Sequence, residues 1–157
     1  IQGFAPASVY MGAFYDGKLR AVMNFKKVRK DRAWDLNRFA TDTKYICRGF
    51  AGKLFSAFLR RFHPEEVKSF ADVRWTPNKD GNLYTTLDFK LESVERPDYS
   101  YYNHNNGAKR SHKFGFRKQI LIKRYGFPKD WTERMMTEKL GYDRIWNCGL
   151  YKYVWKN

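Results

Sequence analysis

An α+β fold, with a mixed and mostly antiparallel sheet flanked by helices, is predicted by three features of this chain. Two alternating segments near the start are joined by Asp16-Gly17, a dipeptide typical of tight β-hairpins. Residues 40–89 then read as strand, glycine-bearing turn, apolar helix and strand. The remaining part is basic and contains further helical and strand-like segments.

The strands and the first helix follow from the spacing of apolar residues. Residues 8–15 and 18–28 alternate like the two strands of a hairpin, and residues 34–40 predict a third strand. Residues 54–62 carry apolar side chains close to the spacing i, i+3, i+4 and i+7, which predicts a helix with one buried face. Residues 67–73 predict the strand that follows this helix.

The turn before this helix is a predicted phosphate-binding site. Small residues at a helix entry leave the first N–H groups unobstructed, and these groups attract anions together with the helix dipole. The candidate cofactor-binding residues are Arg48, Gly49, Phe50, Ala51, Gly52 and Lys53. The plainer alternative is a turn that only connects two elements.

The order of these elements resembles the core of the GNAT N-acetyltransferase fold. In that family a Gln/Arg-x-x-Gly-x-Gly/Ala turn holds the pyrophosphate of acetyl-CoA, and a tyrosine on the next helix acts as general acid. Gly49 and Ala51 match the small positions and Tyr84 matches the tyrosine. Ile46 stands where the family has Gln or Arg. The resemblance implies a GNAT-like fold and leaves the donor open between acetyl-CoA and another acyl compound.

A second resemblance extends over nearly the whole chain. A phage family shares the pattern S-x-A-D-R-R-W-S-x-G-x-L-Y-x-x-x-G-F followed by P-x-Y-x-Y, and it occurs as a domain of homing-endonuclease-like proteins and as stand-alone chains. The matching segments are residues 1–3, 69–75, 81–84, 88–91, 97–102 and 144–149. Val73 and Asp88 depart from the pattern, because they replace an Arg and a Gly.

The same elements are similar to the Mom-type phage DNA-modification proteins, which carbamoylmethylate adenine and so shield DNA from restriction. By that similarity Asp72 and Tyr84 are the catalytic residues. The carboxylate would orient or deprotonate an exocyclic amine, and the phenol would protonate a leaving group. The plainer alternative is an ion pair at the end of a strand and a tyrosine that fills space.

Composition favours a folded domain with a polyanionic partner. The chain has 157 residues, is 43% hydrophobic and carries 31 Lys+Arg against 16 Asp+Glu, a net charge of +15. Such an excess favours DNA as partner. No apolar run approaches the length of a membrane span. The implied location is the cytoplasm of an infected bacterial cell, and the oligomeric state stays open.

Basic and aromatic residues are the candidate DNA-binding groups. Aromatic side chains surrounded by Lys and Arg suit the binding of a base that has been extruded from a duplex, because the base can stack on them. Residues 104–125 contain seven Lys/Arg and no acidic residue, and residues 116–125 predict a helix with Phe116, Ile120 and Leu121 inward. A solvated helix face is the plainer alternative. The candidate residues are Arg74, Trp75, Tyr99, Tyr101, Lys109, Arg110, Lys113, Arg117 and Lys118.

Neither a metal site nor nuclease chemistry is expected in this chain. Two cysteines and three histidines show no CxxC or HxxxH spacing. No HNH, GIY-YIG or paired-carboxylate metal motif is present in the sequence.

The C-terminal part predicts a helix and a closing hairpin. Thr132 is a typical N-cap and Gly141 a typical helix end. Residues 144–148 and 150–155 predict two strands paired across Gly149. We therefore expect one domain over residues 1–157, with a core of about residues 1–103 and a basic extension over residues 104–157. A segment or domain preceding Ile1 is compatible with this organisation.

Three functions remain as hypotheses at this point. The first is a phage enzyme that transfers an acyl-type group to a DNA base, as the Mom-type resemblance implies. The second is a non-catalytic DNA-binding module that targets a homing endonuclease. The third is an ordinary N-acetyltransferase that uses acetyl-CoA.

Overall fold

The computed structural model describes residues 6–28, 33–103, 105 and 109–157. Its strands are β1 Val9–Tyr15, β2 Lys18–Lys27, β3 Ala33–Thr41, β4 Glu66–Asp72, β5 Lys90–Glu95, β6 Tyr99–Asn103, β7 Arg110–His112, β8 Tyr142–Trp146 and β9 Leu150–Lys156. Its helices are α1 Phe50–Phe62, α2 Leu83–Thr86, α3 Lys118–Tyr125 and α4 Glu133–Lys139, with a 3-10 helix at Lys113–Phe116. The predicted motif at residues 1–3 lies outside the described residues.

The chain forms two compact units. Unit 1 comprises Ile1–Glu95 and Leu150–Asn157, and unit 2 comprises Arg96–Gly149. Since β5 and β9 pair antiparallel within unit 1, unit 2 is an insertion between two neighbouring strands. This corrects the expected division into a core of residues 1–103 and a C-terminal extension.

Unit 1 contains a six-stranded sheet in the order β1-β2-β3-β4-β9-β5. The predicted hairpin joins β1 and β2, and Asp16 and Gly17 both have the positive φ angles, 51° and 66°, that such two-residue turns need. β3 and β4 are parallel, and every other pairing in this sheet is antiparallel.

The predicted closing hairpin does not form. β8 pairs with β6 in the sheet of unit 2, whereas β9 pairs with β4 and β5 in unit 1. The two segments alternate like paired strands, but their partners are distant in sequence and leave no local signal.

The core of unit 1 lies between the sheet and α1. The helix buries Leu54, Phe55 and Phe58, the face that the apolar spacing predicts. The Phe58 ring stacks on Phe25 with centroids 3.5 Å apart, and it meets the Trp34 ring edge-on at 5.2 Å. Such rings contribute the largest buried apolar areas in a small core.

Unit 2 contains a three-stranded antiparallel sheet in the order β7-β6-β8. Leu121 of α3 and Met136 of α4 are buried. Thr132 caps α4 as predicted, since its hydroxyl accepts a hydrogen bond from the N–H of Met135. The helix predicted over residues 116–125 begins only at Lys118, and Ile120 is 37% exposed rather than inward.

Across the part of the chain that is described, no helix is both long and apolar enough to cross a membrane.

Candidate functional site

In the middle of the unit 1 sheet the neighbouring strands β3 and β4 separate from each other, and we call this separation the fork. The two strands pair only at Ala33–Asp35 with Glu66–Lys68. Phe25 of β2 faces Leu36 while Asn24 faces Arg38, so Asn37 is an extra residue in β3. A β-bulge of this kind bends its strand and raises its twist. The bulge therefore accounts for the separation of β3 from β4 just beyond the last pair.

A serine satisfies the backbone at the point where the strands part. The Ser69 hydroxyl donates to the carbonyl of Leu36 over 2.8 Å, and Ser69 is buried. Without this bond the carbonyl would lie in the interior with its strand partner gone, which is costly for a backbone acceptor. Ser69 was not among the predicted site residues, because nothing in the sequence reveals where a strand pair ends.

The fork opens into a groove of about 170 Å³. It is lined by Leu36, Asn37, Arg38, Phe39, Ser69, Phe70, Ala71, Asp72, Trp75, Thr76, Leu83 and Tyr84. Both predicted catalytic residues, Asp72 and Tyr84, therefore lie on one groove. Their chemical roles stay predictions. Arg38, which sequence reasoning missed, is the cation among the lining residues.

Tyr84 is held at the groove by ring contacts and by a capped turn of helix. Its ring stacks on Tyr153 of β9 with centroids 4.7 Å apart and an interplanar angle of 10°. A second ring, Phe89, meets it edge-on at 6.1 Å. Both contacts use the ring alone and do not involve the phenolic hydroxyl.

Asn82 is the positioning residue for Tyr84. As N-cap of α2 its side-chain oxygen accepts from the N–H groups of Tyr84 and Thr85, at 2.9 and 3.2 Å. Its amide nitrogen donates to the Tyr153 hydroxyl over 2.8 Å. An Asn before a helix with Thr at the third helical position is a recognisable capping signal, so the sequence could have revealed this residue. Burial raises the pKa of Tyr153.

Asp72 organises the turn that leaves β4. Its Oδ1 accepts from the N–H of Arg74 over 2.8 Å, and its carbonyl accepts from the N–H groups of Trp75 and Thr76, each at 3.0 Å. Arg74 therefore contacts this carboxylate through its backbone N–H, and within the described residues its guanidinium forms no ion pair with Asp72. Among the described residues Oδ2 has no hydrogen-bond partner. Trp75 is 63% exposed at the same groove, so its ring is accessible.

The predicted phosphate turn coincides with the first turn of α1. Gly49 is the N-cap with φ 74°, a left-handed conformation that favours glycine, and the helix begins at Phe50 rather than near Leu54. A Cβ atom at Gly49 or at Gly52 would meet no atom within 4 Å. The space in front of the turn is therefore open.

The helix entry has anion-binding character. In the described chain the N–H groups of Ala51 and Gly52 have no acceptor, and the first turn contains no acidic residue. Arg48 and Lys53 are exposed on either side. Ile46, at the position where the resemblance expects Gln or Arg, is 84% exposed and adds no polar group.

Arg20 anchors the loop that leads into this turn. Its Nη1 lies 2.7 Å from Asp42 Oδ2, and its guanidinium stacks 3.6 Å from the centroid of the Tyr45 ring. The N–H of Lys44 and the Arg20 guanidinium hold the pKa of Asp42 below its ordinary value. A buried arginine on a strand gave no recognisable signal in the sequence.

The other predicted DNA-binding residues belong to unit 2 and do not line this groove. Tyr101 is fully buried and its hydroxyl donates to Glu133 Oε1 over 2.6 Å, so the prediction that its ring stacks on a base is wrong. Burial, aided by Glu133, raises the pKa of Tyr101 to about 12. Tyr99 is half-buried, with the Arg144 guanidinium 4.5 Å from its ring centroid.

No metal-binding cluster of His, Cys, Asp or Glu is present among the residues described.

Comparison with known proteins supplies the fold. No family model and no curated protein matches the chain. An acetyltransferase from Bacillus subtilis, solved in complex with CoA, aligns with a TM-score of 0.50 and 11% identity over 93% of this chain and 74% of that one. A GNAT-family acetyltransferase from Desulfovibrio desulfuricans aligns with a TM-score of 0.53 and 10% identity over 94% and 67%. The chain has the GNAT fold.

A third GNAT structure agrees. The acetyltransferase from Streptococcus pneumoniae aligns with a TM-score of 0.51 and 12% identity over 93% of this chain and 65% of that one. The predicted GNAT-like α+β fold is thus confirmed. At these identities the likeness concerns the GNAT fold alone, and it gives no support to a homing-endonuclease-like or Mom-type relationship.

Proposed function

We propose that this protein transfers an acyl group from a CoA thioester to an amine, with the groove between β3 and β4 as the reaction site. The observation that carries the proposal is the fork itself. One strand leads into an anion-binding helix entry, and the gap beside it holds a carboxylate and a phenol. Among the three hypotheses this favours the acetyl-CoA-dependent one, and the acetyltransferases that share the fold agree with it.

The residues present fit such a donor. Its pyrophosphate would be held by the N–H groups of Ala51 and Gly52, with Arg48 and Lys53 adding charge. Beyond the last pair, β3 and β4 each have one edge without a strand partner, and such edges offer backbone hydrogen bonds to an extended ligand. The open space at Gly49 and Gly52 lets a phosphate approach the backbone.

Within the groove the two predicted catalytic residues have separate tasks. A bound CoA thioester supplies an activated acyl carbon and a sulfur leaving group. Tyr84 would give its hydroxyl proton to that sulfur, and Asp72 Oδ2 would take the proton that the attacking amine loses as the acyl–nitrogen bond forms and the acyl–sulfur bond breaks. Proton exchange with solvent would then restore the Asp72 carboxylate and the Tyr84 phenol. Asn82 and Tyr153 keep the phenol in place while it acts.

Calorimetric titration with acetyl-CoA tests the donor site. Gly52→Asp places a negative charge at the third position of α1, where acidic residues stabilise a helix but repel phosphate. We expect at least a tenfold loss of acetyl-CoA affinity with no loss of thermal stability, and a clearly smaller loss for Gly52→Asn, which adds the same bulk in front of the turn without the charge. Wild type that fails to bind acetyl-CoA, or Gly52→Asp that binds it normally, would refute the donor assignment.

Tyr84→Phe tests the chemistry separately. It keeps both ring contacts and removes the proton donor, and a general acid contributes roughly 10²- to 10⁴-fold to a rate. We expect kcat to fall within that range with the KM for the donor unchanged. Equal kcat values for the two proteins would remove Tyr84 from the mechanism.

A DNA base is the second candidate acceptor, as in the Mom-type hypothesis of a phage anti-restriction enzyme. It is favoured by the exposed Trp75 ring beside Asp72, which could stack on an extruded base, and by the net charge of +15. Mass spectrometry of nucleosides from co-expressed DNA would reveal a modified base, lost in Asp72→Ala. If no modified nucleoside appears while free amines are acetylated, the acceptor is not DNA.

The homing-endonuclease targeting module predicts a different result. Asp72→Ala and Tyr84→Phe would then leave DNA retention unchanged, and neither protein would consume acetyl-CoA.

A further inference from the structure

Three acidic residues of unit 2 form ion pairs with cations that lie outside one basic strip. Asp98 pairs with Lys113 at 2.7 Å, Glu133 with Arg144 at 3.5 Å, and Glu138 with Arg134 at 2.7 Å. These contacts neutralise cations at the start of the 3-10 helix, on β8 and on α4. Among the residues that the structure describes, the other cations between β7 and the end of α3 form no ion pair with an acid.

We call these cations the cationic strip. They are Lys109, Arg110, Arg117, Lys118, Lys123 and Arg124. Within the described residues none of them forms an ion pair, and all except the half-buried Lys118 are exposed. Like charges concentrated on adjoining elements repel one another, and a polyanion relieves that repulsion. The strip therefore has the charge pattern of a phosphate-binding surface.

An aromatic ring stands at the centre of the strip. Phe114 of the 3-10 helix is 54% exposed, and the Arg117 guanidinium lies 3.6 Å from its ring centroid. The N–H of Phe114 donates to Nδ1 of His112 over 3.2 Å, which caps this short helix and holds Phe114 in place. At the other end of the strip Tyr125 is 49% exposed, with Arg124 6.0 Å from its ring centroid.

We propose that the cationic strip of unit 2 binds a single-stranded polynucleotide, with phosphates on the cations and an unpaired base stacked on Phe114. Exposed rings interleaved with cations suit a single strand, because unpaired bases present their faces whereas duplex bases are already stacked. DNA and RNA share this chemistry. The inference concerns unit 2 alone and does not depend on acyl transfer in unit 1.

Fluorescence anisotropy on the full chain tests the proposal. The probes are fluorescein-labelled oligo(dT) and oligo(rU) of roughly a dozen nucleotides, within the usual site size, and a DNA duplex of equal length. We expect tighter binding to at least one single strand than to the duplex, and the ratio of the two single strands identifies the source. Preference for the duplex would overturn the proposal.

Phe114→Ala isolates the stacking contact. Base stacking on an aromatic side chain corresponds to a loss of about 5- to 150-fold on replacement by alanine. The matched control is Phe14→Ala, because Phe14 of β1 is 67% exposed and lies in unit 1. We expect the loss for Phe114→Ala only. An unchanged affinity, or an equal loss in the control, would overturn the stacking role.

Two adjacent cations at a helix end provide the charge test. Lys123 and Arg124 close α3 just as Arg60 and Arg61 close α1, and all four are exposed. Lys123→Gln with Arg124→Gln should weaken single-strand binding and reduce the slope of log affinity against log salt by about 1.4, since each cation contributes about 0.7. Arg60→Gln with Arg61→Gln should leave both unchanged. Equal effects from the two pairs would show attraction by overall charge and overturn the assigned site.

Discussion

In unit 1 the interior consists of stacked apolar rings, whereas in unit 2 a buried tyrosine hydroxyl lies at the centre of a polar network. Phe25, Phe55 and Phe58 are each at most 3% exposed and pack on one another. In unit 2 Tyr101 is equally buried, yet its hydroxyl contacts Glu133 and, at 3.2 Å, Nη2 of Arg144. The two interiors therefore differ in the contacts that fill them, which are ring packing in unit 1 and hydrogen bonds between polar groups in unit 2.

Sheet size explains the contrast. Six strands with a 13-residue helix across them enclose enough apolar area for unit 1 to be stabilised by burial. Three short strands and helices of eight and seven residues enclose less, so polar groups reach the interior of unit 2 and must be paired there. We therefore expect the stability of unit 1 to tolerate changes of polar side chains at its surface. Unit 2 should lose stability when one buried hydrogen-bonding group is removed.

The largest effect is expected in the ring core. Phe58→Ala removes a fully buried ring and should cost about 3–5 kcal/mol of unfolding free energy. Hydrogen exchange followed by mass spectrometry should show lost protection in β4 and retained protection in β6. Equal loss in both strands would mean that the two units unfold together and would break the comparison.

The matching change in unit 2 removes one polar group. Glu133→Ala removes the acceptor of the Tyr101 hydroxyl and the carboxylate partner of Arg144, at a cost of about 1–3 kcal/mol. Glu138→Ala is the control, because its exposed pair with Arg134 is worth only about 0.3–0.5 kcal/mol. Both costs are read from urea denaturation. Similar losses of unfolding free energy in the two variants would show that the polar network stabilises unit 2 no more than an exposed ion pair does.

A smaller effect is expected where unit 1 depends on a polar contact. Ser69→Ala removes the bond to the Leu36 carbonyl at the fork and should cost about 1–2 kcal/mol. Ser93→Ala, at a half-buried serine of the edge strand β5 whose hydroxyl donates to the exposed Glu95, should be close to neutral. Acetyl-CoA affinity should fall for Ser69→Ala and stay unchanged for Ser93→Ala. If acetyl-CoA affinity fell for Ser93→Ala and stayed unchanged for Ser69→Ala, the fork would have no role in donor binding.

The smallest effect appears only at high pH. The pKa of Tyr101 is about 12 in the folded protein against an ordinary value of 10. A raised pKa means that its contribution is complete below pH 10 and is lost as the pH rises through 12. Wild type should therefore lose more unfolding free energy than Tyr101→Phe between pH 10 and pH 12. Parallel losses would indicate that the hydroxyl is not isolated from solvent.

Local patterns in the sequence predicted much of unit 1 and the start of one helix in unit 2. The positive φ angles of Asp16 and Gly17, the buried face of α1 and the N-cap at Thr132 all arise from neighbouring residues, so they could be inferred directly. The assignment of Asp72 and Tyr84 as catalytic residues rested on a family pattern. Both residues line one groove, and their catalytic roles stay predictions.

Contacts between residues that are far apart in the sequence could not be predicted from local patterns. The place of β9 between β4 and β5, the bulge at Asn37 that opens the fork, and the burial of Tyr101 all depend on partners in other elements of the chain. A tyrosine on an alternating strand looks the same whether its ring meets water or Glu133. The sequence by itself thus determined the individual helices, strands and turns, because these depend on the dihedral angles of adjacent residues and on the spacing of apolar side chains. Folding decided which strands meet and which polar groups are enclosed, because only packing sets strand partners and burial.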